Sequence, residues 1–156
     1  MVGCSRWTEL AEALRFHINL VTAAYTPAEF RFLNGASPIT IGKGVQCDES
    51  AEVSVLNAIL DSSPNGGTPM CKHIREVIVT IRGMEPELRA KGQKACIIIA
   101  TDGESSDGDI VEAMRPLQDL PVWVVVRLCT NDESVAAYWK NVRLFPSTKL
   151  FPCALE

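Results

Sequence analysis

Apolar side chains recur at spacings of three and four over residues 6–24, at Trp7, Leu10, Ala11, Leu14, Ile18 and Val21. This period predicts an amphipathic helix, with Ser5 placed to cap its first turn. Glu29-Phe30-Arg31-Phe32-Leu33 then alternates polar and apolar, Asn34-Gly35 turns the chain, and residues 38–42 read as a short hairpin partner. The helical period returns over residues 52–60 at Val53, Leu56, Ile59 and Leu60, and a Ser/Pro/Asn/Gly stretch over 62–67 stops it. Thr68-Pro69 predicts the next helix start, with Thr68 as N-cap and Pro69 at the first helical position. Ile74, Val77, Ile78 and Ile81 form its buried stripe, Gly83 is expected to end it, and residues 84–93 read as a charged link.

Residues 94–101 form a continuous apolar, β-branched run, the pattern of a strand covered on both faces of a parallel sheet. Asp102-Gly103 breaks it, Asp107 or Asp109 starts a helix through Val111, Met114 and Leu117, and residues 122–128 repeat the strand pattern. These three pieces make a βαβ unit. A last helix, residues 132–141, presents Val135, Ala136, Tyr138 and Trp139; beyond Val142 two prolines and a lost period predict no element. The expected architecture is one α/β domain over residues 5–142 with an irregular tail over 143–156. Its sheet is expected to be doubly wound, Rossmann-like and mostly parallel, flanked by helices, with ligands beyond the carboxyl ends of the strands. Trp7, Trp123 and Trp139 are expected to fill the core.

Composition agrees with a packed chain: of 156 residues, 47% are hydrophobic and 22% charged. The longest wholly apolar stretch, residues 95–100, is far short of a membrane span, and residues 1–19 mix Arg6, Glu9, Glu12 and Arg15 into their apolar positions, unlike a secretory leader. An intracellular, cytoplasmic location without membrane insertion is therefore expected. The six cysteines form no CxxC pair and are expected to be free thiols, with Cys96 and Cys129 acting as small core hydrophobes. A net charge of −4 gives no attraction for nucleic acid. Residues 1–94 carry ten basic and ten acidic side chains, whereas residues 95–156 carry five and nine. Asp102, Glu104, Asp107, Asp109 and Glu112 are the centre of that acidic excess.

A carboxylate leaving a buried strand in Thr101-Asp102-Gly103-Glu104-Ser105-Ser106-Asp107 has hard oxygen donors around it, which suits Mg²⁺ or Mn²⁺. The same residues also suit capping of the helix that follows, and Gly66-Gly67-Thr68-Pro69 is equally compatible with an ordinary helix start. No phosphate-cradling glycine motif is present. Cys71 and His73 are two residues apart, a helical spacing that points their side chains away from each other.

Taken together, Arg6-Trp7-Thr8-Glu9-Leu10, Phe30-Arg31-Phe32-Leu33-Asn34, Gly66-Gly67-Thr68-Pro69 and Ile97-Ile98-Ile99-Ala100-Thr101-Asp102-Gly103-Glu104 occur in the order found in von Willebrand factor A domains. The resemblance spans about residues 5–141. It implies a non-enzymatic protein-binding domain with a metal-ion-dependent adhesion site, in which Mg²⁺ or Mn²⁺ accepts a carboxylate from a protein partner. Thr68 matches the family's Thr and Asp102 its distal Asp. The family's DxSxS motif and the strand before it have no counterpart here, so the resemblance implies a truncated member with a degenerate ion site and weak or lost metal affinity. In the family's strand order the missing strand is the central one, beside residues 97–101, and another chain could supply it by edge pairing. The alternative is a Mg²⁺-dependent hydrolase or phosphotransferase on a Rossmann-like sheet, with Asp102 as ligand and Thr68 near a phosphate. That reading needs a second positioned acid, base or Lys at the strand ends, and the sequence offers none.

Overall fold

The computed structural model describes residues 6–35, 37–42, 50–62, 65–142 and 148–152. It is a mixed α/β structure whose residues group into two compact units, Met1–Gly66 and Gly67–Glu156.

The first unit holds α1 (Arg6–Ala23), β1 (Ala28–Phe30), β2 (Ile39–Ile41) and α2 (Ser50–Leu60); the helices and β2 follow the sequence pattern, whereas β1 ends at Phe30, short of the strand expected over residues 29–33. The two strands pair antiparallel, with Glu29 opposite Thr40. The proposed capping residue Ser5 lies outside the described residues. Ala11 and Ile18 of α1, Ile41 of β2, and Leu56 and Leu60 of α2 form a buried cluster, with Trp7, Leu14, Phe30 and Phe32 packed around it. The Trp7 indole donates to Leu60 O at 3.1 Å, and Arg15 pairs with Asp61, so polar contacts join α1 to the end of α2. Gly42 follows β2 at φ 78°, and a Cβ there would stand 2.0 Å from Thr26 O. Only glycine fits that approach.

The second unit holds α3 (Met70–Ala90), β3 (Ala95–Thr101), α4 (Ile110–Met114), a 3-10 helix (Arg115–Asp119), β4 (Val122–Leu128), α5 (Glu133–Val142) and β5 (Thr148–Pro152). The strands form a parallel sheet in the order β3-β4-β5. All seven residues of β3 pair with β4, from Ala95 opposite Val122 to Thr101 opposite Leu128. The expected βαβ unit is therefore present. Asp109 caps α4, accepting from Val111 N at 2.8 Å and Glu112 N at 3.3 Å.

Four features differ from the sequence pattern. First, α3 runs through Gly83 and Pro86 to Ala90 instead of ending at Gly83. An interior Pro removes a ladder hydrogen bond. The last turns are held by side-chain contacts: Arg89 pairs with Glu85 at 2.7 Å, Lys91 pairs with Glu87 at 2.6 Å, and Arg89 also donates to the distant Asp119 O at 2.6 Å. Second, β5 occupies a stretch without hydrophobic period, because its conformation comes from pairing with β4, Val124 opposite Thr148 through Leu128 opposite Pro152. Third, among the described residues β3 and β4 bury only one face of the sheet. Ile99, Thr101, Val122, Val124, Val126 and Leu128 are buried, while Cys96, Ile98 and Trp123 on the other face are exposed, Ile98 by 45% and Trp123 by 58%. Six consecutive apolar residues in β3 leave no alternation to reveal the open face, and in β4 the single polar residue, Arg127, lies on it. Cys96 and Trp123 are thus not core residues, whereas Cys129 and Trp139 are. Fourth, Thr68 is not the side-chain cap of α3: Pro69 occupies the N-cap position without a side-chain bond.

Candidate functional site

The carboxyl end of β3 brings the two candidate loops together. Thr68 N donates to Ser106 Oγ at 2.9 Å and Ser106 N donates to Thr68 O at 2.9 Å. This two-way clasp joins the residue before Pro69 to the acidic loop that begins at Asp102. Gly67 lies close against it, since a Cβ there would stand 3.3 Å from Ser106 Oγ. Met70 N also bonds Thr68 O at 2.8 Å around Pro69 (φ −76°, ψ 60°), an inverse γ-turn that leads the chain into α3.

Asp107 supplies the cap that Thr68 does not. Its carboxylate accepts from Cys71 N at 2.9 Å and Lys72 N at 2.8 Å, the orphan donors of the first turn of α3, and from Ser105 Oγ at 2.8 Å. Burial works to raise its pKa, and the hydrogen bonds from Lys72, Ser105 and Cys71 outweigh it, lowering the pKa from 3.8 to about 2. The Cys71 thiol, 3.2 Å from Ser105 Oγ, is pushed up by burial and by the neighbouring Asp107 charge.

The start of the acidic loop is pinned from β3 and α5. Thr101, 5% exposed, exchanges hydrogen bonds with Gly103 through its hydroxyl, at 3.2 Å to both Gly103 N and Gly103 O. The fully buried Trp139 donates its indole N–H to the same Gly103 O at 3.0 Å. Ser105 N donates to the Tyr138 hydroxyl at 3.4 Å, and burial raises that phenol's pKa. Between these anchors Asp102 is exposed, and Thr68 is half-buried.

The chemistry available follows from this division of labour. Asp107, Ser105, Ser106 and Cys71 hold the loops to each other. A carboxylate ionised near pH 2 is a hydrogen-bond acceptor at neutral pH and a poor general base. Asp102 and the Thr68 hydroxyl are hard oxygen donors on clasped loops, a pair whose chemistry fits Mg²⁺ or Mn²⁺. Among the described residues no three His, Cys, Asp or Glu side chains gather as a metal cluster. Among those residues, too, no helix is long and apolar enough to cross a membrane.

Sequence reasoning located both loops but not their fastenings. Ser106, Asp107, Cys71 and Trp139 act across separations of 34 to 38 residues, as in Ser106 to Thr68 and Asp107 to Cys71. The available signal for Asp107 was a helix start with Pro at its head and a Ser-Ser-Asp loop lacking a local task once Asp109 caps α4. No family model, curated protein or solved structure matches the chain.

Proposed function

We propose that this chain is a non-enzymatic protein-interaction domain similar to von Willebrand factor A domains, its larger unit derived from a doubly wound, Rossmann-like sheet. It carries a degenerate adhesion site in which Thr68 and Asp102 hold Mg²⁺ or Mn²⁺. The observation that carries this reading is the clasp between Thr68 and Ser106, which fastens the Thr68 loop to the loop of Asp102 beyond the carboxyl end of β3. Ligands of open α/β sheets bind at that end of the strands.

When bound, the ion supplies a point charge with open positions for an Asp or Glu carboxylate of a protein partner. The chain's residues do the positioning. Trp139 and Thr101 fix Gly103 beside Asp102, Ser106 fixes Thr68, and Asp107 ties the far end of the loop to α3. With two protein oxygens the affinity would be weak, and the partner's carboxylate would join waters in filling the remaining positions. The polar groups nearby are engaged in holding loops, which favours binding over the alternative phosphotransfer or hydrolysis.

Water-proton relaxation with Mn²⁺ tests the assignment. Wild type is expected to enhance relaxation, Thr68→Ala to reduce the effect and Asp102→Ala to abolish it. Equal enhancement by wild type and Asp102→Ala overturns the site.

A further inference from the structure

We propose that a second copy of this chain pairs with the outer edge of β3, antiparallel and centred on Ile98, to make one continuous sheet across a two-fold axis. Ala95 N donates to Pro121 O and Thr101 O accepts from Cys129 N, both at 2.8–2.9 Å, so the odd-numbered residues of β3 turn their backbone groups toward β4. Cys96, Ile98 and Ala100 therefore turn their N–H and C=O groups outward, and among the described residues no strand pairs with them. Unpaired edges of this kind recruit another strand unless charge, Pro or a bulge protects them. Nothing in Ala-Cys-Ile-Ile-Ile-Ala-Thr does so, whereas the sheet's other edge strand, β5, carries Lys149 and Pro152.

Charge selects the second copy as the occupant. Lys94 precedes the strand and Asp102 follows it, four residues to either side of Ile98. Antiparallel pairing of Ile98 with Ile98 of the other copy sets Lys94 opposite Asp102 at both ends, and Cys96 opposite Ala100. Each facing pair of even-numbered residues then joins backbone groups that both point outward, the geometry of hydrogen-bonded antiparallel pairs, and the odd-numbered pairs between them are the non-hydrogen-bonded ones. Cys96 and Ile98 share the open face with Trp123, and Lys94 Nζ lies 5.6 Å from the Trp123 ring centroid. The contact is self-complementary and closes, as an isologous dimer requires. It draws on the same Asp102 carboxylate as the metal reading, so the test is made without metal and stands apart from that reading.

Sedimentation velocity of the full chain in EDTA and reductant is the experiment. Wild type is expected to show a monomer–dimer equilibrium. Ile98→Pro is expected to be monomeric with an unchanged far-ultraviolet spectrum, because the N–H it removes makes no bond to β4. Lys94→Glu and Asp102→Lys should each weaken the dimer by about tenfold, since each sets two like-charged pairs across the strands, and the double swap should restore it. A monomer at every concentration, open-ended oligomers, or a dimer indifferent to the charge reversals overturns the proposal. Should Ile98→Pro fail to fold, the charge swap and its rescue decide alone.

Discussion

Replacing Asp107 by Asn tests whether the acidic loop is fastened to α3 in the way its geometry indicates. The substitution keeps the shape of the side chain but turns one acceptor oxygen into an NH₂ group, which then faces Cys71 N, Lys72 N or Ser105 Oγ. Lowering the pKa from 3.8 to about 2 corresponds to about 2 kcal/mol of preference for the ionised form. Asp107 is exposed, and solvent screening reduces that to about 1 kcal/mol, the usual value of a helix N-cap. For a unit of this size the melting midpoint should fall by roughly 3–6 °C at pH 7. The sign with pH follows from the direction of the shift. A carboxylate whose folded pKa is depressed stabilises above its unfolded pKa and loses that contribution as pH falls through the folded value. The gap between wild type and Asp107→Asn should thus be full at pH 5–7, narrow between about pH 4 and pH 2, and close below that. Urea unfolding followed by circular dichroism across this range measures it. A gap that is absent at pH 7, or that persists unchanged to pH 2, refutes the capping role.

Two further substitutions or labels probe the packing. Gly83→Ala should stabilise the chain by about 0.5–1 kcal/mol, because Gly83 lies inside α3 and a Cβ there meets nothing within 4 Å; a loss of stability in thermal melts would contradict the continuous helix. Among the described cysteines, exposed Cys96 should alkylate in the native state, and buried Cys71 and Cys129 only on unfolding; peptide mass spectrometry after brief iodoacetamide treatment reads the order, and early labelling of Cys129 would contradict the buried face of the sheet.

How much of this was legible in the sequence depends on the range over which each element is determined. Residues 95–101 and 122–128 declare themselves as strands because β-branched runs have no stable alternative nearby. The same uniformity conceals that Ile98 and Trp123 lie on an open face. Helix α3 is readable from its stripe up to Ile81, but its passage through Gly83 and Pro86 depends on the Glu85 and Glu87 pairs and on Asp119, the last 30 residues away from Arg89. β5 carries no local signal at all, since its register is set by β4. Thr68 and Asp102 were found as ends of elements. The joining of their loops through Ser106 was not, because Ser106 and Asp107 act on partners far along the chain, and Thr68 resembles a local cap closely enough to hide the distant one.

The most direct test of the proposed binding role is the thermal midpoint of the full chain in Mn²⁺ against EDTA, read by near-ultraviolet circular dichroism for wild type and Asp102→Ala. An ion held only by the folded state raises the midpoint by linkage. The account predicts an upward shift in wild type that is missing in Asp102→Ala. No shift in wild type, or the same shift in both proteins, contradicts it.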